Sequence, residues 1–168
     1  QTLTTATYAS LSGSSVAQDF VEAPSQMLEN WVWSADILST LSGHYKDPAL
    51  KLPADLLKKM IDAKDFNQGY FYTRQLQLGL TDMTYHTTSG KVDTTQIQDR
   101  IYREVIGIDP IAGGHFQASF GHLMGGYDSG YYGYLWSEVY AEDMFTRFEK
   151  DGLLNPVVGG ITVAACSR

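Results

Sequence analysis

The chain has 168 residues, 43% of them apolar and 18% charged, a composition that excludes a disordered or fibrous protein. Its length suits one domain, able to bury roughly 70% of the surface of the unfolded chain. With 12 Lys and Arg against 19 Asp and Glu, the formal charge of -7 has the wrong sign for nucleic acid or anionic membrane as a partner.

In chain order, Gln1 to Gln18 is rich in Ser, Thr, Ala and Gly, shows no sustained periodicity and reads as a loop. From Asp19 the pattern changes. Phe20, Met27, Leu28, Trp31 and Val32 recur at helical spacings and predict a helix from about Phe20 to Trp33, with Asp19 as its cap and Pro24 in its first turn. A short amphipathic helix is predicted at Ala35 to Leu41, stopped by Gly43. Pro53 then opens a helix marked by Leu56, Leu57, Met60 and Ile61. Asn67 is placed to cap a longer helix reaching about His86, with Leu76, Leu80 and Met83 along one face; Thr94 opens another, faced by Ile97, Ile101 and Val105.

Between Gly107 and Gly133 the chain is glycine-rich without a helical stripe, which predicts a long ordered loop of the kind that carries function. Leu135, Val139, Phe145 and Phe148 then mark a helix over 134–152, followed by a tail at 153–168. No period-2 alternation bounded by turn signals occurs, so the fold class is all-α, a multi-helix region at 19–106 with the loop and final helix in one domain or part of one. Cys166, the single cysteine, cannot form an internal disulfide, and no apolar run approaches the ~20 residues of a membrane helix. No signal segment opens the chain, and a cytoplasmic location is the expectation.

Two stretches could carry chemistry. Glu22 lies near the start of a helix with an apolar, aromatic flank; it is either an acid placed at the positive end of the helix dipole or a carboxylate with a partner. The run Gly121-His-Leu-Met-Gly-Gly-Tyr-Asp-Ser-Gly-Tyr-Tyr-Gly-Tyr134 interleaves phenols and an imidazole with glycines. Such groups can donate hydrogen bonds to developing negative charge, and glycines allow a ligand close; a tyrosine-lined surface turn is the alternative. His44, His86 and His115 show no metal-ligand spacing, and the sequence contains no Gly-x-Ser-x-Gly, no Gly-x-x-x-x-Gly-Lys and no His-Glu-x-x-His.

The run Asp19-Phe-Val-Glu-Ala-Pro-Ser-Gln-Met-Leu-Glu-Asn-Trp-Val-Trp33 resembles the segment that follows the zinc-binding helix in the thimet oligopeptidase, neurolysin and saccharolysin family. Ser119-Phe-Gly-His-Leu-Met-Gly-Gly-Tyr-Asp-Ser-Gly-Tyr-Tyr-Gly-Tyr-Leu-Trp-Ser-Glu-Val139 resembles the same family's substrate loop and the helix after it, and Asn67-Gln-Gly and Arg74-Gln75 also fit. The resemblance runs from roughly Thr7 to Gly159; the closing Gly160-Ile-Thr-Val-Ala-Ala-Cys-Ser-Arg168 does not align.

It implies a fragment of a mostly helical zinc metallo-oligopeptidase that hydrolyses short peptides with zinc-activated water. Glu22 matches the third metal ligand, whose two histidine partners belong to the absent His-Glu-x-x-His. His122 and Tyr134 match residues that stabilise the oxyanion, Tyr127, Tyr131, Gly125 and Gly126 match the substrate-binding part of the loop, and Gly125, Gly126, Gly130 and Gly133 fall where the loop would hinge. On this reading the isolated chain is inactive and its partner is the missing N-terminal part of the same enzyme. The alternative is a non-catalytic helical module that binds peptides without cutting them.

Overall fold

The structure, a computed structural model, describes residues 4–166; residues 1–3 of the leading loop and 167–168 of the tail lie outside the described residues, as do the side chains of 165 and 166. Among the described residues there are seven α-helices and no strand, which bears out the all-α reading. They are α1 (Ala23–Glu29), α2 (Ala35–Leu41), α3 (Ala54–Asp62), α4 (Gln68–Thr87), α5 (Thr94–Ile106), α6 (Gly133–Asp151) and α7 (Pro156–Cys166). The chain divides into two compact units.

The first unit comprises Gln1–Val16, Val21–Phe66 and Ser137–Arg168. Its α1 begins at Ala23, three residues later than predicted, with Pro24 at the second helical position, and gives way to a 3-10 turn over Asn30–Trp33. Pro24 explains the late start: a helix running from Phe20 would place the proline, which lacks an N–H, beyond the first turn. Met27, Ala141, Phe145, Phe148 and Val158 form the core, and Trp31, Met144 and Leu153 pack against it. Trp31 sets its ring edge-on to Phe145 and Phe148, at centroid distances of 5.2 and 4.8 Å, and its Nε1 donates to the Leu153 carbonyl at 3.0 Å. The indole thus contributes apolar area while its one polar atom stays satisfied. Of the predicted α6 stripe, Phe145 and Phe148 are buried but Val139 is exposed.

The tail that periodicity left without structure is helical from Pro156, whose fixed φ and missing N–H suit a first helical position, and Val158 carries it into the core. Within the same unit, burial raises the Glu138 carboxyl above its ordinary range, with the charges of Glu142 and Glu29 adding to the shift. A raised carboxyl binds its proton more tightly folded than unfolded, so its penalty is absent below the ordinary carboxylate pKa and grows as pH rises through the folded value. Glu138→Gln is therefore expected to raise the melting temperature near pH 7 and to leave it unchanged near pH 4, read from melts of the complete protein at both pH values.

The second unit comprises Ala17–Phe20 and Asn67–Trp136, and is built on α4 packed against α5. Asp93 caps α5 through a 3.0 Å bond from the Gln96 N–H, and Ile101 on its predicted face is buried. Asn67 precedes α4 in a left-handed conformation, φ 63°, and makes no side-chain cap bond. The face expected to be buried on α4 is corrected. Leu76, Leu80 and Met83 are exposed, while Gln77, Leu78, Thr81 and Asp82 are buried.

A hydrogen-bond network makes that polar face possible. The Gln77 amide donates from Nε2 to Thr81 Oγ1 at 3.0 Å and to Gln98 Oε1 at 3.1 Å, and the Thr81 hydroxyl donates to the Gln77 carbonyl at 2.8 Å. Arg74 donates to Gln77 Oε1. Fully paired buried amides and hydroxyls avoid a desolvation penalty of about 1–3 kcal/mol each. The apolar stripe at Leu76, Leu80 and Met83 is left on the outside.

Candidate functional site

In the second unit the predicted loop is held in two 3-10 turns, Phe116–Ala118 and Gly121–Met124, and a series of tight turns leading into α6. Gly130 N–H donates to the Tyr127 carbonyl and Gly133 N–H to the Gly130 carbonyl, both at 2.9 Å, and Tyr134 enters the first turn of α6. Gly126 takes φ 88°, a left-handed conformation that favours glycine. Gly133 is fixed by space: a Cβ there would stand 2.6 Å from the Gln18 carbonyl oxygen. Gly133→Ala must push two backbone segments apart and is expected to destabilise the protein by about 1–3 kcal/mol, measured by denaturant melts.

These turns bring four sequence-predicted residues together. The His122 imidazole lies edge-on to three phenol rings, with centroids 5.5 Å from Tyr127, 5.0 Å from Tyr131 and 5.6 Å from Tyr134. Tyr127 and Tyr134 stack at 5.1 Å with an interplanar angle of 11°. His122 Nε2 and the Tyr134 hydroxyl are 3.2 Å apart and share a hydrogen bond. Phe120, buried beneath, meets Tyr131 edge-on at 5.1 Å.

Tyr131 is buried, and its hydroxyl donates to Gln75 Oε1 at 3.0 Å. Its pKa is raised, first by burial and then by Tyr134, against lowering by the Arg74 charge and the Gln75 bond, so it stays a neutral phenol. Of the cage, His122, Tyr127 and Tyr131 line an open cleft of ≈ 580 Å³, together with Leu78, Phe120 and Gly125. Apolar walls with a few convergent donors suit a ligand that is partly apolar and carries acceptor oxygens.

Glu22 stands in the first unit, at the N-cap position of α1 with φ -93° and ψ -7°. Its carboxylate does not cap the helix through a side-chain bond; Oε2 accepts from the Ser25 hydroxyl at 2.9 Å. Among the described residues no group of three or more His, Cys, Asp or Glu side chains is placed to hold a metal ion. A carboxylate oxygen such as that of Glu22 is chemically suited to be one ligand of zinc, and no complete set of ligands stands beside it among the described residues.

Periodicity and motif reading passed over Asp82. Its carboxylate, 0% exposed on α4, accepts the Ser129 N–H at Oδ1 and the Tyr131 N–H at Oδ2, each at 3.0 Å. His86 Nδ1 lies 2.9 Å from the same Oδ1.

An all-helical segment bearing a histidine–tyrosine cage over a cleft describes a class of ligand site; comparison with known proteins gives the family. Residues 1–163 match peptidase family M3, and the chain belongs to that family. It is 44% identical over 155 residues to a thimet-like oligopeptidase of Dictyostelium discoideum, covering 90% of this chain and 23% of that protein. Saccharolysin of Saccharomyces cerevisiae is 45% identical over 145 residues (83% of this chain, 20% of the relative), and oligopeptidase A of Escherichia coli 39% over 150 (87% and 22%). The chain spans about a fifth of the length of these relatives. No helix among the described residues is long and apolar enough to cross a membrane.

Proposed function

We propose that this chain is part of the catalytic unit of a zinc peptidase that hydrolyses short peptides, and that its tyrosine loop stabilises the tetrahedral oxyanion. The observation that carries the reading is the cage in which His122 and Tyr134 share a hydrogen bond over a cleft walled by Tyr127 and Tyr131. Glu22, together with two histidines of a His-Glu-x-x-His helix that these 168 residues do not contain, would hold zinc, which would supply a water of lowered pKa and polarise the scissile carbonyl. Peptides as the substrate class accord with the names of the oligopeptidase relatives.

This chain's own residues do the rest. With the proton on His122 Nε2, the imidazole donates to the Tyr134 oxygen and polarises the phenol, which strengthens it as a donor toward negative charge. Tyr127 and Tyr131 present phenol faces and edges to the peptide, and Gly125 and Gly126 let its backbone approach the loop closely. The exposed stripe Leu76, Leu80 and Met83 supports a larger catalytic unit, because an apolar helix face of this kind is covered in a working enzyme. By the same reading the 168 residues alone are inert, and the enzyme acts in the cytoplasm.

The test is to incubate the complete enzyme with a broad set of quenched-fluorescent peptides and map the cuts by mass spectrometry. Cleavage of several short peptides is expected. A complete enzyme that holds zinc yet cuts none, and binds peptides equally well in chelator, is instead a non-catalytic binding module.

A further inference from the structure

Asp82 is the one carboxylate among the described residues with no exposed surface, and nothing in the mechanism so far uses it. A carboxylate in such a place is retained only where hydrogen bonds replace its water. Here three N–H groups do so: the Ser129 and Tyr131 main-chain donors, each at 3.0 Å, and His86 Nδ1 at 2.9 Å. The same imidazole nitrogen lies 2.8 Å from the Asp82 carbonyl; both neighbours are acceptors, so this nitrogen carries the proton.

The two main-chain donors bracket Gly130, and the first of them belongs to the one described loop residue with a left-handed backbone that is not glycine, Ser129 at φ 58°. A serine in that conformation is strained by about 1–2 kcal/mol and persists where its surroundings hold it. The carboxylate supplies that hold from both sides of the turn. Tyr131 comes directly after Gly130, its ring packs on His122 and Tyr134 at 5.0 and 5.1 Å, and three residues further on is Tyr134 itself.

We propose that Asp82 is a positioning residue of the site, fixing the left-handed turn at Ser129 and so setting where Tyr131 and Tyr134 stand relative to His122. The proposal rests on the peptidase reading above. Displacement of reacting groups by about 1 Å lowers rates by as much as 10²-fold, so a turn released from its anchor affects chemistry more than peptide binding.

The experiment uses the complete enzyme with one quenched-fluorescent peptide, and follows kcat, KM, zinc content and inhibition by a phosphinic peptide that mimics the tetrahedral intermediate. Asp82→Asn keeps one acceptor oxygen but sets an NH₂ against the other main-chain N–H. It is expected to lower kcat about 10- to 100-fold with KM and zinc content nearly unchanged, and to weaken the phosphinic peptide by a similar factor. Adding Ser129→Gly should recover several-fold of the lost kcat, because glycine holds a positive φ without strain. Should Asp82→Asn fail to fold, Ser129→Val serves: its side chain is exposed, Asp82 is intact, and a β-branched residue resists the left-handed turn.

The same kcat-only defect is expected there. An Asp82→Asn enzyme of unchanged kcat overturns the proposal, as does a loss of zinc and activity in step with no recovery from Ser129→Gly. Unchanged kcat in Ser129→Val overturns it equally. If the unsubstituted enzyme cuts no peptide, the peptidase reading fails; if it cuts and the variants match it, only the role of Asp82 does.

Discussion

Tyr134→Phe is expected to lower kcat by roughly 10²–10³-fold, the usual effect of removing one oxyanion donor, while zinc content stays at the level of the unsubstituted enzyme. The substitution removes a single oxygen. The ring keeps its stacking on Tyr127, 5.1 Å away with planes 11° apart, so the walls of the cleft keep their shape. What disappears is the hydroxyl 3.2 Å from His122 Nε2. A donor that matters to the developing charge more than to the bound peptide lowers kcat and kcat/KM together. If KM rises instead and kcat is untouched, Tyr134 binds the substrate without stabilising the oxyanion.

Glu22→Ala is expected to strip zinc from the complete enzyme during dialysis and to abolish activity, as measured by metal analysis and peptide turnover of the same sample. Glu22 makes no side-chain cap bond to α1; its carboxylate accepts from the Ser25 hydroxyl, an exposed bond worth about 0.5–1.5 kcal/mol, and its charge at the helix start adds roughly 0.3–1 kcal/mol. Its removal therefore lowers thermal stability little when measured against the zinc-free enzyme. Loss of metal and activity without loss of fold marks a ligand. Full metal content and activity in Glu22→Ala would remove this residue from the metal site and return it to the helix-dipole role.

The helices were legible where apolar spacing and local signals agree. Ala35–Leu41 follows from amphipathic spacing ended by Gly43, and the helix opened by Thr94 buries Ile101 as expected. Glycines and phenols gathered in one run marked the cage, because that pairing of flexible backbone with polar rings is visible in composition. Burial along α4 was not legible, because its inner face is polar and is satisfied by partners as far along the chain as Gln98. Asp82 was hidden for the same reason. A carboxylate in mid-helix reads as solvated, and its two main-chain donors, Ser129 and Tyr131, lie 47 and 49 residues away. For α7, Pro156 was an available start signal, but Gly159 and Gly160 in the run after it obscured a helix that Val158 ties to the core.

The most direct test of the central claim is to measure turnover of a short peptide by the complete enzyme as zinc is withdrawn with a chelator and returned in known amounts. The account predicts activity that vanishes on withdrawal and returns in proportion to zinc, reaching its maximum near one ion per enzyme, as a single three-ligand site requires. Peptide cleavage that persists in the metal-free enzyme, or zinc that rebinds stoichiometrically without restoring it, would contradict the account.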